Sequence, residues 1–278
     1  MFPPLLLSLI QQPDMAEAAG LVVGVVALAG LFNNTVECFE FVQLGRTFGK
    51  DFQTSQLKLD NARLRLSRWG KSLLLDEDVC NTTSLQGRFG SESTVKHAEG
   101  LLGKITELFA DAEGVSNKYK NQTTPQDNSL VVYNPQKDLD PPIATLHEKM
   151  RQLAIKRQNR SGVRQKAKWA LYQEKHFRRL IEDVTELVDS LVELFPAAQQ
   201  VQRDLCDTEV SAIGENEGIS LLKEIAAVQD KFLEQAITKK TDGADKSHHI
   251  VFSGNGNTGL QLGHNSGTMS GFMFGKGG

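Results

Sequence analysis

Residues 18–32, AAGLVVGVVALAGLF, form the least polar stretch of the chain, fifteen residues without a charge or a strong hydrogen-bonding side chain. Behind it, in VECFEFVQLG, Val36, Phe39, Phe41 and Leu44 keep apolar residues on a helical surface, so one long helix or two consecutive ones are expected from Ala16 to near Gly45. Between Asp51 and Leu75, Leu57, Leu59, Ala62, Leu64, Leu66 and Trp69 are interleaved with Lys58, Asp60, Arg63, Arg65 and Arg68, which predicts a helix with Gly70 near its end. Residues 76–93 are rich in Asn, Thr, Ser and Gly and read as a surface loop. Val95, Ala98, Leu101, Leu102, Ile105, Leu108, Phe109 and Ala112 recur at three- and four-residue steps, predicting an amphipathic helix over 94–120.

Residues 121–142 are polar and proline-bearing, and their apolar LVVY at Leu130–Tyr133 either pairs as a strand or pins the loop. Residues 143–170 read as a basic helix. Phe177, Leu180, Ile181, Val184, Leu187, Val188, Leu191, Val192 and Phe195 have the best periodicity of all, and Pro196 stops that helix. One more helix is expected over 197–212, broken by Gly214 and Gly218, and another over 219–237 closes the domain. The composition then changes: 241–249 reads as a polar linker, and over 250–278 nine of twenty-nine residues are glycine, with Lys276 the single charge. At the other end, MFPPLLLSLIQQPD has neither a basic n-region nor a small-residue cleavage site, so no secretory signal is expected. Residues 1–14 are set apart as a disordered extension or a misassigned start, Met15 being the more natural first residue.

Length leaves the role of the apolar run open. Fifteen residues make a helix of roughly 22 Å, short of the roughly 30 Å hydrocarbon core of a bilayer. At rest the run reads as a buried helix of a soluble bundle. Gly20 and Gly24 nevertheless form G-x-x-x-G, with Gly30 beyond, a spacing that lets helix backbones approach closely in a membrane. Glycine costs roughly 1 kcal/mol relative to alanine within a helix, so three in one apolar run call for a reason, which conditional membrane insertion would supply. The inserting residues would be Leu21, Val22, Val23, Val25, Val26, Leu28, Leu31 and Phe32.

Charge alters the picture more than composition does. The net charge of −3 conceals eleven basic residues against Glu174 between Lys149 and Arg179, followed by ten acids against Arg203 between Glu182 and Glu217. These blocks either pair in the fold, lie on solvated faces, or turn basic residues such as Lys156, Arg157, Arg160 and Arg164 toward anionic lipid. Cys38, Cys80 and Cys206 are odd in number and form no C-x-x-C, which fits thiols packed in a reducing compartment. The N-x-S/T matches at Asn33, Asn81, Asn121 and Asn159 are then chance ones. Gly254, Gly256 and Gly259 match G-x-G-x-x-G, but no βαβ pattern surrounds them and no dinucleotide site is expected. The six histidines form no H-E-x-x-H, and there is no nucleophile elbow or P-loop. No enzyme activity, cofactor, metal, small-molecule substrate or nucleic-acid partner is expected.

The tail reads almost the same in both directions around Gln261, Asn257 mirroring Asn265, Gly259 mirroring Gly263 and Leu260 mirroring Leu262. As a strand it would place amides and glycines on one face and Thr258, Leu260, Leu262 and His264 on the other, suited to amide ladders and a dry leucine interface in a cross-β stack. Met269, Phe272, Met273 and Phe274 supply a second apolar segment. The expected activity of 250–278 is self-assembly into amyloid.

At LFNNTVECFEFVQLGRTFGKDF (31–52), LDNARLRLSRWG (59–70) and KWALY (168–172) the chain closely resembles the HeLo domain of the fungal HET-s/HET-S incompatibility proteins, over a match from Met15 to about residue 235. The resemblance implies an all-α fold, a HeLo-like helical bundle over 15–240 followed by a flexible linker and a disordered tail able to form cross-β amyloid. It also implies a cell-death role in which the N-terminal apolar segment is released into the plasma membrane. The tail lacks the two charged pseudo-repeats of those proteins. It is similar instead to the pseudo-palindromic fungal amyloid motif, itself similar to the homotypic interaction motif of mammalian necroptosis kinases, with Asn257, Gly259, Leu260, Gln261, Leu262, Gly263, Asn265 and Met269 at the motif positions. The implied partners are further copies of the chain, a NOD-like receptor bearing a matching motif, and the anionic plasma membrane on activation, with a cytoplasmic resting state. A non-toxic prion-like adaptor that polymerises without inserting is the alternative.

Overall fold

The computed structural model describes residues 15–77, 87–124, 127–158 and 167–245, so the expectations for residues 1–14 and for the amyloid motif lie outside the described residues. The chain from Met15 to Phe41 is a single helix, α1, of 27 residues. Of the mid-helix polar residues Asn33, Asn34 and Thr35, two bond back to the preceding turn and so stay within the helix: the Asn33 amide donates to the Ala29 carbonyl at 2.9 Å and the Thr35 hydroxyl to that of Leu31 at 2.7 Å.

After α1 the backbone turns extended. Strand β1 (Val42–Leu44) pairs in parallel with β2 (Trp169–Leu171), Val42 opposite Trp169 and Leu44 opposite Leu171. The LVVY stretch pins its loop to the other edge of β1, with the Tyr133 amide donating to the Leu44 carbonyl at 2.8 Å and the Arg46 amide to the Val131 carbonyl at 2.7 Å. This ribbon also corrects the basic helix expected over 143–170, which ends as α4 (Pro141–Lys156). Strands of three residues are too short to leave a pattern in the sequence.

The remaining long helices are α2 (Phe52–Ser72), α3 (Glu92–Gln122), α5 (Glu174–Leu194), α6 (Gln199–Ile213), α7 (Ile219–Gln229) and α8 (Lys231–Asp245). The helix expected over 219–237 is therefore two, broken at Asp230. Helix also continues to Asp245, into the stretch expected as linker from Thr241. Residues up to Ile237 belong to one packed unit and those from Thr238 on to a second, of which the end of α8 is described.

Helix α2 lies at the centre, packed by α1, α4, α5, α6 and α7, while α1 packs chiefly on α3. The core runs through Phe32, Phe39, Leu57, Leu64, Trp69, Leu102, Ile105, Val184, Leu191 and Leu222. Gln56, Asp60, Asn61, Arg63, Arg65 and Arg68 of α2 are buried with them. Polar side chains in such a position must find partners, and those partners define the site.

Candidate functional site: an apolar helix and its anchorage

Leu21, Val25, Leu28, Phe32, Val36 and Phe39 are buried, a three- and four-residue spacing that forms one stripe along α1. The stripe meets α3 closely. A Cβ on Gly20 would sit 3.1 Å from a Glu92 carboxylate oxygen and one on Gly24 the same distance from Val95 Cγ1, so G-x-x-x-G serves a close helix contact within this fold. Further along, the Thr35 and Thr106 hydroxyls lie 3.2 Å apart, and the Phe39 and Phe109 rings meet edge to face at 4.7 Å. Val22 and Leu31 are half-buried.

The opposite side of α1 is apolar as well and faces outward, with Val23 71% and Val26 56% exposed beside exposed Ala27 and Gly30. The uncharged run thus divides into a packed face and a bare one. By length and composition Gly20–Phe41, 22 residues, can cross a membrane. Those residues make a helix of about 33 Å, so the shortfall of the fifteen-residue run disappears once the whole helix is counted.

Two contacts fasten α1 to α2. Phe32 lies over Gly70, where any Cβ would overlap its ring, and its ring centroid is 6.2 Å from that of Trp69. Trp69 is in turn held by its indole N–H, which donates to the Leu191 carbonyl of α5 at 3.0 Å. Near the end of α1, Glu40 is gripped by Arg63 of α2 and, through Nε at 2.9 Å and Nη2 at 3.1 Å, by Arg151 of α4. Burial works against the charge of Glu40, but the two guanidiniums outweigh it and hold the carboxyl below its ordinary range.

A second set of charges is centred on Arg68, Glu209 and Asp230, which are fully enclosed. Arg68 donates from Nε (3.0 Å) and Nη2 (2.6 Å) to Glu209 of α6, and from Nη1 to Asp230 at 2.8 Å. Arg157, just past α4, bonds the same Glu209, while Arg65 bonds the Gln229 carbonyl and Asp189. Burial opposes the charge of Arg68, but Asp230 and Glu209 push its pKa well above the ordinary value. Asp230 does a second job, its Oδ1 accepting the Leu233 amide at 3.3 Å in the first turn of α8.

These partners correct the charge-block expectation. Arg157 is buried and bound to Glu209 of the acidic block and does not face lipid in this state, whereas Arg151 of the basic block pairs with Glu40 of α1. Lys156 is exposed, and Arg160 and Arg164 lie outside the described residues. Among the described residues no group of three or more His, Cys, Asp or Glu side chains comes together as a metal site. Cys38 and Cys206 are buried free thiols, and burial pushes Cys206 far above its ordinary pKa.

Residues 20–224 match the family described as HeLo, "Prion-inhibition and propagation". The chain belongs to the HeLo family. Residues 245–271, which include every position of the mirrored motif, match a second family, described as the SesB domain on fungal death-pathway protein. Over 232 residues the chain is 35% identical to heterokaryon incompatibility protein s of Podospora anserina, covering 82% of this chain and 76% of that protein. It is 34% identical to heterokaryon incompatibility protein S of the same organism over the same span. Among solved structures, a double mutant of the HET-s N-terminal domain superposes with a TM-score of 0.69 at 35% identity, covering 77% of this chain and 98% of that one. The HET-S N-terminal domain superposes with the same score at 33% identity, covering 82% and 99%. The bundle is therefore a HeLo fold, with α1 as its first helix.

Proposed function

We propose that this HeLo chain is a cell-death effector of fungal heterokaryon incompatibility or programmed cell death, non-enzymatic and switched on by amyloid assembly of its tail. A NOD-like receptor carrying a matching motif templates residues 250–278. The growing fibril destabilises the helical domain, α1 leaves its seat, and several copies disrupt the plasma membrane from the cytoplasmic side. The observation that carries this reading is the bare apolar face of α1, on a helix long enough to span a bilayer and held by one side only. The death-pathway description of the family matched by residues 245–271 and the names of the incompatibility relatives support it. Exposed Lys156 and the basic residues Arg160 and Arg164 would hold the domain near anionic headgroups, each worth about 1 kcal/mol at the surface.

The test follows from the two faces of α1. Val25 is wholly buried, so a charge there unfolds the resting domain and discriminates nothing; Val26 is the informative position. In the folded chain Val26→Asp alters an exposed surface, a change of about 0.5 kcal/mol or less. Within the Gly20–Phe41 span, a third of the way along, it costs up to about 2.5–3.5 kcal/mol, the value for the centre of a membrane helix. A fluorescently tagged full-length chain is followed in living cells given fibrils of residues 250–278 while dye entry is recorded. Peripheral dots with dye entry in the wild type, and dots without entry in Val26→Asp, are expected. Undiminished dye entry in Val26→Asp overturns insertion of α1. Cytosolic dots in sealed wild-type cells mark a polymerising adaptor instead.

A further inference from the structure

Asp230 is the single residue between α7 and α8, and α8 runs directly into the segment matched as a SesB domain. Its carboxylate has two loyalties: it caps the first turn of α8 through the Leu233 amide and bonds Arg68 in the middle of the central helix. The two residues that follow Arg68 are Trp69 and Gly70, which seat Phe32 of α1. Three consecutive residues of α2 therefore face both the helix that leads to the tail and the helix with the bare apolar face.

We infer that Arg68, Trp69 and Gly70 couple the two ends of the chain, so that withdrawal of Asp230 with α8 releases Phe32 and hence α1. The charge arithmetic of the enclosed cluster supplies the force. Arg65, Arg68 and Arg157 face Asp189, Glu209 and Asp230, three cations against three anions, Arg65 reaching Asp189 at 2.5 Å and Asp230 at 4.0 Å. When Asp230 leaves, three guanidiniums are left with Glu209 and the half-exposed Asp189 in a place closed to solvent, and an unpaired buried charge of that kind is strongly destabilising. Relief comes by hydrating or shifting that turn of α2, and Phe32 cannot stay in place if the turn moves, because its ring fits only the space left by the missing Gly70 side chain. Within this unit Leu233, Ala236 and Ile237 of α8 are buried, and Arg203 lies over the Phe232 ring at 4.4 Å, so apolar packing and the Asp230 carboxylate both hold the helix. The coupling is a property of the resting fold; only the event that draws α8 away rests on the death-effector reading.

Amide hydrogen exchange on the purified full-length chain, without membranes or seeds, tests it. Asp230→Asn is expected to speed exchange about tenfold or more in α8 and also in residues 25–36 of α1. Ile237→Ala, a cavity in α8 away from the charge cluster, is expected to speed exchange in α8 alone. Adding Arg157→Gln to Asp230→Asn restores two cations to two anions and is expected to return α1 toward wild-type protection, a rescue that a merely structural defect would not show. If Asp230→Asn opens α8 while α1 exchanges as in the wild type, or if the charge-balanced double variant fails to rescue α1, the coupling is wrong. Should Asp230→Asn lose its helical circular dichroism, Asp230→Glu takes its place: it disturbs the α8 cap but keeps the anion, so α8 is expected to exchange faster while α1 stays protected, and an α1 that opens in Asp230→Glu overturns the charge-driven coupling. A chain whose α1 is opened by Asp230→Asn yet leaves dye-loaded phosphatidylcholine–phosphatidylserine vesicles sealed upholds the coupling and overturns the membrane-disruption reading.

Discussion

Phe32 occupies space that α2 leaves empty at Gly70, so the two positions depend on each other more than their separate losses suggest. Gly70→Ala drives a methyl into the Phe32 ring and is expected to cost about 1–3 kcal/mol, whereas Phe32→Ala vacates a fully enclosed site and is expected to cost about 3–5 kcal/mol. In the double variant the new methyl fits part of the vacated volume, so urea denaturation should show a loss smaller than the sum. Two titratable pairs around α2 then limit stability from opposite ends of the pH scale. The His147 Nδ1 lies 2.7 Å from an Asp60 carboxylate oxygen, and although burial disfavours the imidazolium, Asp60 raises its pKa above 6.5. A raised folded-state pKa contributes stability that is complete below 6.5 and fades as pH climbs through the folded value. Glu40 behaves oppositely. Its pKa is lowered from 4.5, so its contribution is present above 4.5 and is lost as pH falls through the folded value. Unfolding midpoints measured across pH should show His147→Gln most harmful near pH 5.5 and approaching wild type in alkali, and Glu40→Gln most harmful at neutral pH and least in acid.

At the scale of elements the usual relation between polarity and burial is inverted in one pair of helices. Helix α1, apolar on every side over residues 18–32, is bare along one face, while α2, with Arg63, Arg65 and Arg68 in succession, is enclosed. Hydrophobic spacing alone predicts the reverse, since an all-apolar helix belongs inside and a charge-laced one outside. The guanidiniums are tolerated because acids from α1, α5, α6 and the α7–α8 junction meet them. Partners 124 to 164 residues away in sequence leave no local signal for Arg65 and Arg68. Elements that pack by one face were legible: the periodicity of Phe177–Val192 and of Val95–Ala112 falls inside α5 and α3, with Phe195 one residue past the end of α5. What was illegible depends on tertiary pairing. The break at Asp230 serves Arg68, the end of α4 near Arg157 serves Glu209, and β1 and β2 are defined only by each other. The bare face also explains what close packing does not. A Cβ on Gly30 would meet nothing within 4 Å, so Gly30→Ala is expected to stabilise the resting domain by up to about 1 kcal/mol through helix propensity alone. That corresponds to a rise of roughly 2–4 °C in thermal midpoint, readable by circular dichroism.

For the whole molecule, the balance lies between a marginal domain and a much more stable assembly. A domain of this size has about 5–15 kcal/mol in hand, while stacked cross-β pairs every backbone group with the chains above and below it and is of extreme stability. On the proposed mechanism the exchange between them passes through α8, which borders the tail, before it reaches α1. Full-length chain mixed with fibrils of residues 250–278 should therefore lose exchange protection in 231–245 first and in α1 afterwards. Gln261→Pro places a residue without an amide donor at the centre of the mirrored motif, where a central strand cannot accept it. It should abolish seeding and with it both losses of protection, while leaving the urea midpoint of the helical domain unchanged. If α1 opens on seeding while α8 stays protected, the fibril acts on the domain by some route other than its last helix. If both open in the Gln261→Pro chain, the seed acts on the domain without templating the tail at all.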